Sequence, residues 1–377
     1  MRKNNANVHH SHKGNRSKLP TLKEIAQHVG VSISTVSRVL NNDTSRHISP
    51  ETKSKIWRAA KDLGYRVKEP ADPASAAPSA SAARAAKGAG KPSTAARQVG
   101  CIVSAPQNKY NHPYFSPILA GIEKKLAELE CVLAYVITQE EIQGETAIRK
   151  LVQDTRLDGI VIVEGIEPGM YDYIKKVVPA VVGIDISDPT VPVISYDRVQ
   201  AAKTAVRHLI EQGHTRIAFI GGAGMSGDME REKRCRGYKY AMQEAGLAIE
   251  PRWIINAGWD VNLSYARMAE LLDDGKASRP TAVFAASDMM AISAMRAAAE
   301  RGFDIPHDIA FVGLDNIELS QYTSPPLTTI HIPKHEIGMM AAKVLVDQIE
   351  GNIPLPFKML MPFELVVRQS SVNTRKR

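Results

Sequence analysis

The chain reads as a small helical module followed by a two-lobed α/β domain whose parallel sheets are covered by helices. Three observations predict this. Residues 1–68 carry 14 Lys and Arg against 4 Asp and Glu, while residues 99–377 carry 30 against 34. Between them, the 30 residues 69–98 hold 12 Ala, 4 Pro, 4 Ser and 2 Gly, with no Val, Ile, Leu, Met or aromatic residue. After residue 98, short Val/Ile-rich runs alternate with helical stretches, the pattern of βαβ units and a parallel sheet.

The bulk properties fit. A chain of 377 residues allows two or three domains, and 44% hydrophobic with 23% charged residues is ordinary for a globular protein. No run of about 18 apolar residues occurs, so no membrane contact is expected. The start, MRKNNANVHHSHKGNRSK, is basic and lacks the apolar stretch of a secretory signal. Cys101, Cys131 and Cys235 stand far apart without a C-x-x-C pair, which fits a reducing cytoplasm and neither a disulfide frame nor a metal site. A net charge of +8 confined to the first fifth of the chain points to a polyanion-binding module on a slightly acidic body. Residues 1–18 are expected to be a basic disordered tail, and 371–377 a second basic tail.

In the module, residues 19–68, Thr21-Leu22-Lys23-Glu24 is a capping box that opens a helix. Leu22, Ile25, Ala26 and Val29 give it one apolar face, and Gly30 closes it. Ser32 caps the next helix, which buries Val36, Val39 and Leu40 and exposes Ile33, Ser34, Thr35, Ser37 and Arg38. Helix, tight turn and helix form a helix-turn-helix. Short polar groups plus one Arg suit the major groove, where Arg bonds guanine and Ser or Thr reaches base edges or phosphates. A third helix starts at Ser49-Pro50 and runs to about Leu63. Residues 69–98 cannot bury enough apolar surface to order themselves and read as a linker whose ends lie roughly 30 Å apart.

Seven buried strands follow from residue 99 onward and just before it: 98–103, 132–137, 159–163, 180–184, 216–220, 281–285 and 309–313. Ile118, Ile122, Leu126 and Leu129 form one helical stripe; Ala202, Val206, Leu209 and Ile210 form another. About 280 residues is long for one sheet, so two lobes with a cleft are expected over 99–370. Ligands of open α/β sheets bind beyond the carboxyl ends of the strands, which makes the loops after the strands the place to look.

The strings TLKEIAQHVGVSISTVSRVLNN and ISPETKSKIWRAAKDLGYR resemble the DNA-binding headpiece of the lactose-repressor (LacI/GalR) family of bacterial regulators. ISYDRVQAAKTAVRHLIEQGHTRIAFIGG, PTAVFAASDMMAISAMRAAAERGFDIPHDIAFVGLDN and SPPLTTIHIPKHEIGMMAAKVL are similar to that family's effector domain. The resemblance implies a periplasmic-binding-protein-like fold with three passages between lobes, a homodimer, operator DNA as partner and no cofactor. It places Ile33, Ser34 and Arg38 where bases are read and Thr35 and Ser37 at phosphates; Lys18, Lys23, Arg46 and Lys55 are either backbone contacts or a solvated basic face. It implies effector contacts from Tyr114, Phe115, Asp185, Arg234, Trp259, Ser287 and Asp315. For Arg234 and Asp315 the alternative is a lobe-stabilising ion pair, and for Trp259, Tyr114 and Phe115 it is core packing. The family's hinge helix has an Ala-Arg-x-Leu core; the nearest match here is Ala83-Arg84-Ala85-Ala86, with Ala86 in place of Leu, so that helix is expected to be weak or absent.

Rival functions have less support. No G-x-x-x-x-G-K-[ST], H-E-x-x-H or G-x-S-x-G occurs, Gly221-Gly222-Ala223-Gly224 reads as a flexible strand-end loop, and His9, His10 and His12 sit in the tail. An enzyme is therefore not expected. A free sugar-binding protein would not carry the basic headpiece, and a DNA-compacting protein would be basic throughout. The expected function is a cytoplasmic repressor whose operator affinity changes when a small carbohydrate binds between the lobes. The alternatives are a sugar-binding protein without a regulatory role and a corepressed regulator of non-sugar metabolism.

Overall fold

The computed structural model describes residues 21–40, 49–62, 96–104, 109–142, 145–224, 227–273 and 279–372. Lys18, Arg46, the tail 1–18, the hinge candidate Ala83–Ala86, linker residues 69–95 and the end 373–377 lie outside them. The chain divides into two compact units, Met1–Pro92 and Ser93–Arg377.

In the first unit, helices α1 (Leu22–Val29), α2 (Ile33–Leu40) and α3 (Pro50–Asp62) close on one small core. Its members are Ile25, Ala26, Val36, Val39, Ile56, Ala59 and Ala60, all buried. Two local devices set the angle between α1 and α2. Gly30 sits at φ +75°, and the N–H groups of Gly30 and Val31 both donate to the carbonyl of Ala26 at 2.9 and 3.1 Å. A glycine in the left-handed region terminates a helix without a Cβ clash. Ser32 then accepts from the Thr35 N–H at 3.1 Å as the cap of α2, and Ser49 accepts from the Thr52 N–H at 3.3 Å as the cap of α3.

The second unit holds two six-stranded sheets, with strands numbered in chain order. The first lobe comprises β1 (Gln98–Val103), β2 (Val132–Thr138), β3 (Gly159–Val163), β4 (Ala180–Ile184), β5 (Val193–Tyr196) and β11 (Lys358–Met361). Its order is β11-β5-β4-β3-β1-β2, parallel throughout. The second lobe comprises β6 (Ile217–Gly221), β7 (Ile254–Asn256), β8 (Ala282–Ala285), β9 (Ala310–Asp315), β10 (Thr328–His331) and β12 (Glu364–Val366). Here the order is β12-β10-β9-β8-β6-β7, with β12 antiparallel to β10. Three of the expected strands match end for end, four shift by one or two residues, and β5, β7, β10, β11 and β12 were not anticipated. Each of those five has only three or four residues, too few for a periodic signal.

Helices α4 (Phe115–Glu128), α5 (Glu145–Thr155), α6 (Pro168–Val177) and α11 (Lys334–Ile349) serve the first lobe; α7 (Arg198–Glu211), α8 (Lys233–Glu244), α9 (Val261–Asp273) and α10 (Asp288–Glu300) serve the second. The chain passes between lobes three times: after β5, after β10 and between β11 and β12. Among the described residues no helix is long and apolar enough to cross a membrane.

α4 and α11 touch backbone to backbone. A Cβ on Gly121 would lie 2.0 Å from the His335 carbonyl oxygen, and one on Gly338 would lie 2.0 Å from that of Ile118. Both glycines are there for space, and neither neighbour is a side chain that can turn aside. Gly338→Ala is expected to force the helices apart and destabilise the second unit by about 1–3 kcal/mol. A urea titration followed by the near-ultraviolet signal checks this; an unchanged midpoint would show that the crossing relaxes freely.

Candidate functional site

In the helical unit, two hydroxyls at the start of α2 are engaged locally. The Ser32 and Thr35 hydroxyls bond each other at 2.8 Å while Ser32 caps the helix. Ile33 projects outward with 48% of its surface exposed, although Val36 and Val39 on the same helix are buried. Thr35, Ser37 and Arg38 are half-buried, Lys23 and Lys55 are exposed, and the side chain of Ser34 is outside the description.

In the larger unit, polar residues gather at the carboxyl ends of the strands. Glu164 follows β3, Asp185 follows β4, Tyr196 ends β5 and Asp315 ends β9. Among the described residues, seven that are not glycine have positive φ, and five of them sit in these loops: Glu164, Asp185, Trp259, Asp315 and Asn316. Such backbone strain persists only where the surroundings enforce it, and it collects at binding sites.

Arg198 lies at the centre. Its Nη2 is 3.0 Å from Asp185 Oδ2 and also donates to Glu164 Oε1. Burial disfavours its charge, but Asp185 and Glu164 outweigh that and hold the guanidinium firmly protonated. Burial likewise opposes the charge on Glu164, yet Arg198 and Arg234 keep its carboxyl below the usual range. The rest of Asp185 is satisfied by the Ser195 hydroxyl, which donates to Oδ1, and by Tyr114 Oη, which donates to Oδ2 over 3.4 Å. Arg198 also lies over the Tyr196 ring at 5.6 Å. Two buried atoms here have no hydrogen-bond partner, Arg198 Nε and Tyr196 Oη.

The second lobe supplies the opposite wall. Arg234 is buried, donates from Nε to Glu232 Oε1 at 2.8 Å, and lies 4.1 Å from the centre of the Trp259 ring. Asp315 is 5% exposed, and its Oδ1 is a third buried atom without a partner. Burial pushes the Asp315 carboxyl up to about 7, against the pull of Lys334, Arg234 and Arg198. Lys334 donates from Nζ to the main-chain oxygen of Asp315. Behind it, Asp288 accepts from the Ile317 N–H at 2.8 Å and the Thr329 hydroxyl at 2.6 Å, and burial with the charge of Asp315 raises its carboxyl far above the normal value. The charge of Arg234 is felt at Glu164 in the other lobe, so the two walls share one electrostatic site. Lys233 is half-buried near the same carboxylates, with its amine lowered by burial, Arg198 and Lys358.

Of the residues named from sequence, Tyr114, Asp185, Arg234, Trp259 and Asp315 converge here. Phe115 packs instead, its ring 5.1 Å from Tyr114 and 4.8 Å from His112. The Ser287 hydroxyl accepts from the Met290 N–H at 3.3 Å as the cap of α10. Neither Arg234 nor Asp315 is the other's ion-pair partner; Arg234 pairs with Glu232. Sequence reasoning missed Glu164, Tyr196, Arg198, Glu232 and Lys334. Missing the four-residue strand β5 hid the fact that Tyr196 and Arg198 stand at a strand end. A depression of about 350 Å³ at the free edge of β7 lies away from this cluster, and its cations Arg252 and Arg267 are paired with Glu250 and Glu270.

A helix-turn-helix unit followed by a two-lobed domain with a polar cleft defines a class, the DNA-binding transcriptional regulators. Comparisons narrow it. Residues 21–67 match the bacterial regulatory proteins of the lacI family, and residues 206–371 match a periplasmic binding protein-like domain. The chain is 30% identical to the HTH-type transcriptional repressor CytR of Escherichia coli (strain K12), over 93% of this chain and 96% of that one. It superposes on the transcriptional regulator CelR in complex with cellobiose with a TM-score of 0.64 and 26% identity, covering 93% and 99% of the two chains. It superposes equally, at 0.64 and 25% identity over 94% and 100%, on the lac repressor dimer bound to operator and the anti-inducer ONPF. The chain belongs to the lacI family of bacterial regulatory proteins and is a DNA-binding transcriptional regulator.

The raised carboxyl of Asp315 has a consequence for stability. Between about pH 4 and about 7 the folded state keeps a proton that the unfolded chain has released, so the ligand-free domain loses stability as pH rises through that window. Asp315→Asn cannot ionise. Its stability relative to the natural protein is expected to grow by roughly 1.4 kcal/mol per pH unit there. Urea unfolding at pH 5, 6 and 7 measures this, and a difference independent of pH would contradict the assignment.

Proposed function

We propose that the protein is a cytoplasmic homodimeric repressor that reads a pseudo-palindromic operator and alters its affinity when a small carbohydrate binds at the strand ends between the lobes. Two copies of α2 enter successive major-groove half-sites. Ile33, Ser34 and Arg38 face bases, with Thr35 and Ser37 at phosphates. The effector meets Tyr114, Asp185, Arg234, Trp259 and Asp315, together with Glu164, Tyr196 and Arg198, while Phe115 and Ser287 shape the wall behind them.

One observation carries the sugar-binding part. Three buried polar atoms, Arg198 Nε, Tyr196 Oη and Asp315 Oδ1, lack partners in a single charged cluster. Leaving such groups unpaired costs free energy, and a polyhydroxylated ligand offers both donors and acceptors to satisfy them. The cellobiose complex of CelR, of the same fold, supports that class of ligand. The effector is bound and released unchanged, in keeping with relatives that are transcriptional repressors, and Asp185, Glu164 and Glu232 are held in ion pairs with Arg198 and Arg234. Coupling between the two sites of such a regulator is typically about 1–3 kcal/mol.

The DNA half is tested at Arg38. Arg38→Ala is expected to weaken binding to a selected operator by about 1–3 kcal/mol while leaving nonspecific binding to unrelated duplex nearly unchanged. Fluorescence anisotropy titrations at fixed salt measure both. Equal affinity of variant and natural protein for the operator would remove Arg38 from the groove.

A further inference from the structure

The first turn of α2 presents an apolar group where a groove-reading helix is expected to present polar ones. Ser32 and Thr35 turn their hydroxyls toward each other and toward the Thr35 N–H. Val36 and Val39 go into the core with Ile25 and Ile56. What projects at the helix start is the branched side chain of Ile33, 48% exposed, the one exposed large apolar residue among those of this unit whose side chains are described. A single exposed isoleucine on a protein surface means nothing by itself. At the entering end of a DNA-reading helix it has one chemical counterpart, because the apolar feature of the major groove is the C5-methyl group of thymine.

Resting on the reading of α2 as the operator-reading helix, we propose that Ile33 is a specificity residue that packs on a thymine methyl in each operator half-site. The direction of readout follows from the side chain. Isoleucine has no donor or acceptor, so it cannot bond a base edge, and any polar edge it covers loses water without a replacement partner. Cytosine in place of that thymine removes the methyl and sets an unmatched amino group against the side chain. Ile33 and Arg38 are five residues apart, about 7.5 Å along the helix axis. With base pairs stacked about 3.4 Å apart, the thymine read by Ile33 lies within about three base pairs of the base read by Arg38.

Deoxyuridine in place of thymidine deletes the methyl and nothing else, which gives a clean test. An operator is first selected from random duplexes with the full chain, and each thymine of one half-site is then replaced singly by deoxyuridine. The natural protein is expected to lose about fourfold in affinity at one thymine, the worth of one buried methyl, and little at the others. In Ile33→Ala that penalty is expected to disappear, and in Ile33→Val to survive in reduced form. Tolerance of every deoxyuridine by the natural protein would overturn the proposal, as would a penalty of the same size in Ile33→Ala. Should Ile33→Ala fail to fold, the reduced penalty in Ile33→Val carries the same comparison, and an unreduced one overturns the proposal. Selection that yields no preferred duplex would contradict the operator-reading function itself, a different failure from a preferred duplex indifferent to the methyl.

Discussion

The larger unit depends on one buried charge and its two anions. Arg198 begins α7 immediately after the chain leaves the first lobe, and its guanidinium closes on carboxylates that follow β3 and β4. A charge so buried is tolerable only when paired, and both anions stand on backbone twisted into positive φ to reach it. This constraint ties the passage between lobes to the loops that face the cleft. It also leaves Nε, a donor the carboxylates do not take, buried without a partner. A ligand that satisfies it acts on the residue from which the second lobe is hung.

The two units recognise their partners by opposite physical means. The helical unit is a preformed reader with a small apolar core, a glycine-terminated α1 and serine caps that fix its turn. The cleft is a strained and electrostatically crowded site in which Asp315 and Asp288 share a buried region with Lys334. A rigid reader gives specificity, and a site under tension gives response. Ligand binding shifts a lobe arrangement only in so far as it favours one over the other.

Much of this was legible in the sequence, and the exceptions have physical reasons. The caps Ser32 and Ser49, the stop at Gly30 and the strands Gln98–Val103, Gly159–Val163 and Ala180–Ile184 all follow from local chemistry that tertiary packing does not override. Strands of three or four residues such as Val193–Tyr196 do not announce themselves, because they are too short for a periodic signal and one edge pairs with Lys358–Met361, far along the chain. Losing that strand concealed Arg198 and Tyr196, whereas the family resemblance named Asp185 and Asp315. Ser287 illustrates the reverse case: its position after a strand suits ligand contact equally well, but its hydroxyl is used to cap α10. Phe115 likewise turns toward Tyr114 and His112, a choice of rotamer that no spacing encodes.

One titration measures the coupling between cleft and groove. The affinity of the full chain for its selected operator is measured at fixed salt, alone and with saturating amounts of each of a set of neutral mono- and disaccharides, cellobiose included. At least one sugar is expected to change the operator dissociation constant by about 5- to 150-fold, with the change abolished in Arg198→Ala. An operator affinity that no sugar alters, or an identical response from Arg198→Ala, would contradict it.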